Sequence, residues 1–403
     1  MDPAAAWWRS VLMITGELEA ARIAYCLIEE AALAVQGVEL PRMPAIDISV
    51  QWDLFDDAHG LFQPYGAGPV EEHKGSATFS LTRDGIPIHI VCYRNTVVET
   101  DPDRVSVERE GRRIWAKSLD FYRRRWPPLD ARVERIEAFL RAAQRRQSAA
   151  SAAAWNQSAY RAWVERHGHP AEAAERIRSD PEARLAALRG YLGDVAGRKI
   201  ANLLGSYGGK AVALALLGAD VTVVDIASEN ARYALELAHA AGVAIRYVVS
   251  DVLALPAEEL SGDYDIVLME LGILHYFVDL QPLAQVVVRL LRAGGRMVLQ
   301  DFHPVSTKLI TSRGRKHKVT GNYFDPTPQE ADVACLKHLP DASLAAPARV
   351  RLRKWTLAET VTAFAEAGLC VRALSEEPNT KIDDIGIPKT FTLVAEKGLR
   401  VRG

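Results

Sequence analysis

The sequence predicts an α/β fold in two domains, and three observations lead to that prediction. The chain has 403 residues, more than a single domain usually holds. A run of small residues, QSAASAAA at 147–154, separates two regions. Each region alternates apolar strand-like segments with amphipathic helix-like ones. We therefore predict a first domain at 1–146, a linker at 147–154 and a second domain at 155–403.

The second region contains the most informative pattern. An apolar strand, KIANLL, leads into the turn GSYGG and the helix AVALALLGA; the next strand, VTVVD, ends at Asp225, and a third, IRYVVSD, ends at Asp251. A glycine turn that opens a helix lets backbone N–H groups approach a ligand, and an acid that closes the second strand is placed to bind ribose. This pattern predicts a nucleoside-cofactor site and fits NAD and S-adenosylmethionine (SAM) equally.

The downstream segments favour SAM. They read DYDIVLMELGILHYF, LLRAGGRMVLQDFHP, KWTLAETVTAFAEAG and KTFTLVAEK. With them, residues 155–397 resemble class I SAM-dependent methyltransferases, which implies a Rossmann-like sheet of seven strands and SAM as the cofactor. The resemblance assigns cofactor binding to Asn202, Gly205, Ser206 and Gly208 around the turn, Asp225, Ile226 and Asn230 after the second strand, Asp251 and Val252 after the third, and Glu270 and Leu271 after the fourth.

The glycine turn departs from the family pattern. The usual motif reads approximately D-L-G-C-G-T-G, whereas this chain has N-L-L-G-S-Y-G. Asn202 stands where the family has an acid, and Leu204 replaces a glycine. The cofactor's ammonium group would then depend on carbonyl groups and neutral oxygens.

Three residues near the expected transfer point are candidates for catalysis. His275 and Tyr276 follow the fourth strand, and His303 follows the fifth. Ligands of open α/β sheets bind at the carboxyl ends of the strands, so these groups could bind an acceptor hydroxyl or amine or take its proton. The alternative is that each histidine caps a helix or satisfies a loop carbonyl.

Two further segments are predicted to enclose the site. In the helix AAWNQSAYRAWVERHG, the resemblance implies a lid over the cofactor, which we assign to Trp155 and Tyr160; a plain core helix explains Trp163 equally well. An insert at about 306–353 is expected to form the substrate wall.

The first domain is predicted to begin with a helix over 14–38 and to contain a hairpin about Asp84-Gly85. It resembles the nucleotidyltransferase-like fold of the aminoglycoside nucleotidyltransferase and abortive-infection type. The metal-binding acids are largely lost: only Asp47 remains, and His89 stands at the third acidic position. One carboxylate cannot assemble a two-magnesium site, so we expect no metal and no nucleotidyl transfer. Substrate binding or dimerisation is the predicted role.

Composition gives no global sign of a nucleic-acid or membrane partner. The formal net charge is −2, with 49% hydrophobic and 25% charged residues, as in ordinary soluble globular proteins. The apolar runs are far shorter than a membrane span and the first residues lack a signal-peptide pattern, so we expect a cytoplasmic location. The scattered cysteines show no metal-ligand spacing.

Together these observations predict an enzyme that transfers a methyl group from SAM to an O or N atom of a polar small molecule. The fused first domain suggests specialised, antibiotic-type metabolism and allows a homodimer. Two alternatives stay open. One is a protein that binds SAM without turnover, and the other is an RNA methyltransferase docking through the arginine-rich stretch 104–146.

Overall fold

The computed structural model describes residues 2–313, 316–340, 348–379 and 384–399. The chain divides into two compact units, Met1–Ala142 and Ala143–Gly403. The division falls within one long helix, Ala131–Asn156, so the small-residue stretch at 147–154 is helical, in keeping with the high helix propensity of alanine. Of the predicted insert at 306–353, residues 314–315 and 341–347 lie outside the described part.

The N-terminal unit is built on a seven-stranded sheet in the order β3-β4-β5-β2-β1-β7-β6. Strands β1 and β7 are parallel, as are β2 and β5, and the other neighbours are antiparallel. The elements are α1 (Pro3–Ala20), β1 (Tyr25–Leu27), α2 (Glu29–Val35), β2 (Ile46–Val50), α3 (Phe55–Phe62), β3 (Glu71–His73), β4 (Ser76–Arg83), β5 (Ile86–Tyr93), β6 (Arg104–Arg109), β7 (Arg112–Lys117), α4 (Leu119–Arg125) and the start of α5 (Ala131–Asn156).

The predicted helix over 14–38 is wrong, because the structure divides this segment into α1, β1 and α2. Helix α1 ends at Ala20, and Arg22 takes a left-handed turn with φ 58°. The run Tyr25–Leu27 is fully buried and pairs with β2 and β7. A short apolar run buried on both faces carries no period that separates strand from helix. The hairpin about Asp84-Gly85 is confirmed: both residues have positive φ, 50° and 77°, as a two-residue type I′ turn requires.

The C-terminal unit contains a second seven-stranded sheet, in the order β10-β9-β8-β11-β12-β18-β17. The first five strands of this order are parallel, whereas β18 and β17 are antiparallel additions. This mixed seven-stranded sheet confirms the predicted Rossmann-like fold. Its strands are β8 (Lys199–Leu203), β9 (Asp220–Asp225), β10 (Arg246–Val249), β11 (Tyr264–Glu270), β12 (Leu291–Phe302), β17 (Leu369–Asn379) and β18 (Asp384–Lys397).

Helices flank this sheet, and two small hairpins follow the fifth strand. The helices are α6 (Ala159–His167), α7 (Pro170–Ser179), α8 (Pro181–Arg184), α9 (Arg189–Leu192), α10 (Gly209–Leu216), α11 (Ser228–Ala241), α12 (Gln281–Leu290) and α13 (Leu357–Glu366). The hairpins pair β13 (Ile310–Arg313) with β14 (Lys316–Val319), and β15 (Gln329–Asp332) with β16 (Arg349–Leu352).

Side chains on the two faces of the central strands enter two separate apolar clusters. On β8, Ile200 packs into one cluster, whereas Ala201 and Leu203 pack into the other. Strand β9 divides in the same way, with Val223 in the first cluster and Val224 in the second. Burying each large aliphatic side chain contributes about 1.5–3 kcal/mol. The carboxyl ends of the strands are therefore held in place by packing on both sides of the sheet.

No helix in the described parts of the chain has both the length and the apolar character that a membrane crossing requires.

Candidate active site

The candidate site lies where the strand order of the C-terminal sheet reverses. From β8 the chain proceeds outward to β9 and β10, and it then returns to place β11 on the other side of β8. Such a switch point leaves a crevice at the carboxyl ends of the two central strands. A cavity of about 460 Å³ opens there, within the size range of small-molecule sites.

Most of the predicted site residues line this cavity. They are Trp155, Gly205, Ser206, Asp225, Ile226, Asn230, Asp251, Val252, Glu270, Leu271, His275 and Tyr276. Four others, Tyr160, Asn202, Gly208 and His303, do not belong to the cavity lining.

The turn after β8 owes its shape to left-handed backbone conformations and close packing. Leu204, Ser206 and Gly208 have φ values of 50°, 52° and 75°, a region costly for residues other than glycine. At Gly205, an added Cβ would lie 2.6 Å from Oδ1 of Asn202, so a larger residue would displace the turn. The backbone N–H of Ser206 donates to Oδ2 of Asp225 at 3.0 Å, which ties the turn to the end of β9.

Asp225 is a buried carboxylate at the end of β9, 8% exposed. Its Oδ1 accepts hydrogen bonds from the N–H of Ala227 (3.0 Å) and from Nδ2 of Asn230 (3.1 Å). Burial raises the pKa of Asp225, and these hydrogen bonds together with that from Ser206 act in the opposite direction. The carboxylate is thus fixed in direction and faces the cavity.

Asp251 ends the third strand segment and caps the short helical turn Val252–Ala254. Its Oδ1 accepts a hydrogen bond from the N–H of Leu253 at 2.9 Å. Its Oδ2 has no hydrogen-bond partner in the described part of the chain. This oxygen is therefore available to a donor group of a ligand.

The loop after β11 is held by an acid that the sequence analysis did not single out. Asp301, 5% exposed near the end of β12, accepts hydrogen bonds from the N–H groups of Gly272 (2.6 Å), Ile273 (3.3 Å) and Leu274 (3.2 Å). These bonds orient the helical turn Leu274–Tyr276. The only sequence signal was an acid at the carboxyl end of the fifth strand, next to the more conspicuous His303.

His275 lies in this turn, and its ring lines the cavity. Neither ring nitrogen has a hydrogen-bond partner among the described residues. Burial lowers the pKa of His275; Lys354 acts in the same direction and Asp301 opposes it. The imidazole is therefore neutral near pH 7 and can accept a proton.

Tyr276 is held by the helix that was predicted to be a linker. Its Oη accepts a hydrogen bond from Nε1 of Trp155 at 3.2 Å, and its carbonyl accepts one from Nε2 of Gln147 at 2.8 Å. Burial raises the pKa of Tyr276, so the phenol keeps its proton. With Trp155 occupying one lone pair, the hydroxyl hydrogen can be donated to a ligand.

One face of helix α5 forms a wall of the cavity. Gln144, Ser148, Ser151 and Trp155 line it, at the spacing that places residues on one side of a helix. Oε1 of Gln144 accepts a hydrogen bond from the N–H of Val278 at 2.7 Å, which anchors the helix to the loop after β11. The Ser151 hydroxyl is buried and has no hydrogen-bond partner in the part of the chain that the structure describes. This wall was not predicted from the sequence, because its run of small residues was interpreted as a linker.

The structure places Tyr160 away from the predicted lid. Its Oη donates to Oε2 of Glu236 at 2.5 Å, and its ring packs edge-on against Tyr233. Trp163 lines the cavity instead, with its Nε1 donating to Oδ1 of Asn230 at 2.8 Å. The aromatic enclosure therefore comes from Trp155 and Trp163, whose ring centroids lie 6.1 Å apart.

His303 is engaged outside the cavity lining. It is 3% exposed, its Nε2 lies 2.6 Å from Oε1 of Glu376, and its Nδ1 accepts the N–H of Val305 at 3.1 Å. This is the loop-satisfying role that the sequence analysis held as the alternative. Both ring nitrogens of His303 are occupied in this arrangement, and its catalytic role stays a prediction.

His303→Ala should lower stability without affecting the cavity. Losing a buried ring and two hydrogen bonds should cost about 2 kcal/mol of unfolding free energy. Denaturant unfolding measures that change, and calorimetry with S-adenosylhomocysteine measures binding, which should stay within about twofold of wild type. A large loss of affinity for S-adenosylhomocysteine at unchanged stability would show that His303 takes part in the binding site.

Comparison with known proteins supports the assignment of the C-terminal fold. Residues 204–299 match the family model described as a methyltransferase domain. No curated protein sequence matches the chain.

The following three similar solved structures are distant in sequence. One is an S-adenosylmethionine-dependent methyltransferase from Mesorhizobium loti (20% identity, TM-score 0.42, covering 53% of this chain and 98% of that one). Another is magnesium protoporphyrin IX methyltransferase from Synechocystis PCC 6803 with bound S-adenosylhomocysteine (14% identity, TM-score 0.41, 62% and 100%). A third is an S-adenosylmethionine-dependent methyltransferase from Clostridium acetobutylicum (13% identity, TM-score 0.41, 55% and 94%).

The family match and the strand order together show a methyltransferase domain within the Rossmann-like sheet of the C-terminal unit. The matched residues run from the glycine turn through most of β12, so they include the cavity edge at the carboxyl ends of β8, β9 and β11.

The N-terminal unit lies outside this match, and its nucleotidyltransferase-like character stays a prediction. Asp47 on β2 faces His89 on β5, with Oδ1 of Asp47 2.8 Å from Nδ1 of His89. Among the described residues, no group of three or more His, Cys, Asp or Glu side chains could hold a metal ion.

Proposed function

We propose that the C-terminal domain transfers the methyl group of SAM to an oxygen or nitrogen atom of a small molecule. The observation that carries the proposal is that the ring of His275 lines the same cavity as Asp225 and Asp251 and has no hydrogen-bond partner among the described residues. A nucleoside-binding edge and a proton acceptor thus lie in one enclosure.

The residues of the cavity fit the proposed cofactor. The hydroxyl of Ser206 and Oδ2 of Asp251 have no hydrogen-bond partner within residues 2–313, 316–340, 348–379 and 384–399. Buried polar groups of this kind usually find a partner. Asp225 would bind the ribose hydroxyls and Asp251 the adenine amine. SAM supplies an electrophilic methyl group on a sulfonium.

The chain's own residues would then orient the acceptor and manage its proton. Alignment and the exclusion of water account for most of the acceleration in such a transfer, and Trp155 and Trp163 supply the enclosure. His275 would accept the proton of a hydroxyl or an ammonium group. Tyr276 would donate a hydrogen bond to the acceptor.

The lining also bears on the acceptor's class. Leu271 and Phe302 are each 42% exposed and line the cavity, as does Phe277. These side chains favour an aromatic or otherwise apolar body that carries one hydroxyl or amine, rather than the polar small molecule predicted from the sequence. An origin in specialised, antibiotic-type metabolism would place the acceptor among natural products of that chemistry.

Turnover with methyl-labelled SAM tests the proposal. When the full-length protein is incubated with labelled SAM and fractionated metabolite extract, label should enter a small molecule while S-adenosylhomocysteine forms in equal amount. Nucleic acid added in parallel should stay unlabelled. If S-adenosylhomocysteine binds but no fraction accepts the label, the domain binds the cofactor without transferring its methyl group, and the enzyme assignment fails.

A further inference from the structure

Two charged side chains form an ion pair inside the cavity. Lys210, in the first turn of α10, directs Nζ to Oε2 of Glu270, the last residue of β11. Their side chains are 14% and 15% exposed, and both line the cavity. Moving two charges out of water costs free energy that their mutual attraction often fails to recover. A pair in this position therefore contributes little to the fold by itself.

The side of the cavity near Lys210 carries a second cation. Arg184 lines the same cavity, and no ion-pair partner of its guanidinium is found in the described part of the chain. Burial lowers the pKa of Lys210 to about 8, and Arg184 acts in the same direction. Lys210 is largely buried, whereas Arg184 is exposed at the edge of the cavity. Two cations beside one carboxylate leave an excess of positive charge, which an anionic ligand group would neutralise.

The glycine turn offers no charge to a cationic ligand group. Asn202, where the resembled family has an acid, is fully buried, and its amide donates to the carbonyl of Leu268 at 3.4 Å. Leu268 is the residue opposite Asn202 in the pairing of β8 with β11. Glu270 therefore stands on the neighbouring strand, two residues further toward the carboxyl edge, where its side chain reaches the cavity.

We propose that Lys210 and Glu270 bind the amino-acid end of the cofactor, Lys210 taking its carboxylate and Glu270 its ammonium group. This inference rests on the proposed function, and it identifies what replaces the missing acid of the turn. An α-amino acid carries both charges close together, so one zwitterion can separate the pair and satisfy each member without a change in net charge. The protein's own pair holds the two side chains ready until the ligand enters.

Three nucleoside ligands test separately for binding of the carboxylate and binding of the ammonium group. S-adenosylhomocysteine carries both the carboxylate and the ammonium group, decarboxylated SAM has only the ammonium group on its side chain, and 5′-methylthioadenosine has neither. Calorimetry on the full-length wild type, Lys210→Met and Glu270→Gln proteins gives each affinity without requiring an acceptor.

Each variant should have its own pattern of affinities. In Lys210→Met, S-adenosylhomocysteine should bind on the order of 30-fold more weakly, the loss expected when one partner of a buried charged pair is removed. Decarboxylated SAM should bind this variant at least as well as wild type, because a nearby cation is gone. In Glu270→Gln, both ligands with an ammonium group should lose affinity. 5′-Methylthioadenosine should bind all three proteins alike.

Lys199→Met provides a matched control, since Lys199 pairs with Asp263 at the opposite end of the sheet; its affinities should equal those of wild type. Circular dichroism shows whether each variant is folded. Equal losses for all three probes in Lys210→Met, or no selective loss for S-adenosylhomocysteine, would overturn the inference while leaving SAM binding intact. If the wild type binds none of the three, the proposed function itself fails.

Discussion

Asp225→Asn should weaken the binding of S-adenosylhomocysteine by about 100-fold or more, an effect near 2.7 kcal/mol. The carboxylate accepts hydrogen bonds from the turn and from Asn230, and the proposal adds the ribose hydroxyls as donors. The asparagine side chain has an NH₂ group in place of one acceptor oxygen. That group would face the N–H and hydroxyl donors that the carboxylate now accepts from, so the substitution should weaken the ligand contact and disturb the turn. Calorimetric titration measures the loss.

The same substitution should lower the free energy of unfolding by about 1–3 kcal/mol, because N–H groups that donate to Asp225 in the wild type would lose their acceptor. Asp220→Asn is the matched control, since Asp220 is exposed at the other end of β9; it should change neither quantity. Wild-type affinity in a folded Asp225→Asn protein would show that the ribose does not bind at the end of β9.

His275→Gln should reduce the rate of methyl transfer by about 10²–10⁴-fold, the range typical of a lost general base. Affinity for S-adenosylhomocysteine should change little, because His275 is assigned to the acceptor and its ring nitrogens have no hydrogen-bond partner in the described part of the chain. Single-turnover rates with the acceptor found in the labelling screen measure the first effect, and calorimetry the second.

The pH profile gives an independent check on His275. Burial lowers the pKa of His275 below its ordinary value of about 6.5, so the neutral, proton-accepting form persists as the pH falls through that value. Turnover should therefore be flat above pH 6.5 and decline only in more acid solution, and the decline should be absent from the residual activity of His275→Gln. The flanking charges are Asp301, which raises this pKa, and Lys354, which lowers it.

His239→Gln serves as the control, because His239 is exposed near the end of α11. Its rate and pH profile should match the wild type. Equal losses of rate and of S-adenosylhomocysteine affinity in His275→Gln would assign His275 to the cofactor side and remove it as the proton acceptor.

The part of the site assigned to the nucleoside could be predicted, because the sequence patterns that indicate it are local. A strand ending at Asp225, preceded by a glycine turn, depends on backbone geometry within one βαβ unit, and the structure places Asp225 and Asp251 at the cavity. Tyr160 was assigned to a lid over the cofactor from the family resemblance and from its place on the helix. Its side chain points to Glu236, and which way a helix face turns depends on neighbours that a local pattern does not specify.

The other parts of the site were less accessible from the sequence. Asp301 and Lys210 act through partners on other elements, Gly272 to Leu274 in one case and Glu270 in the other. The wall formed by Gln144, Ser148 and Ser151 lies in a stretch of small residues that composition marked as a linker. Its alanines make it helical, but only the packing of that helix on the loop after β11 turns its polar face toward the cavity.

By itself, the sequence determined the class of the C-terminal fold, the order of its strands along the chain and the acids that end them. Those features follow from periodicity and turn chemistry, which act over a few residues. The tertiary structure alone decided that the ring nitrogens of His275 have no hydrogen-bond partner among the described residues while those of His303 are occupied, and that Glu270 pairs with Lys210. Burial, ion pairing and the orientation of a lone pair depend on residues far apart in the chain, and only folding brings these together.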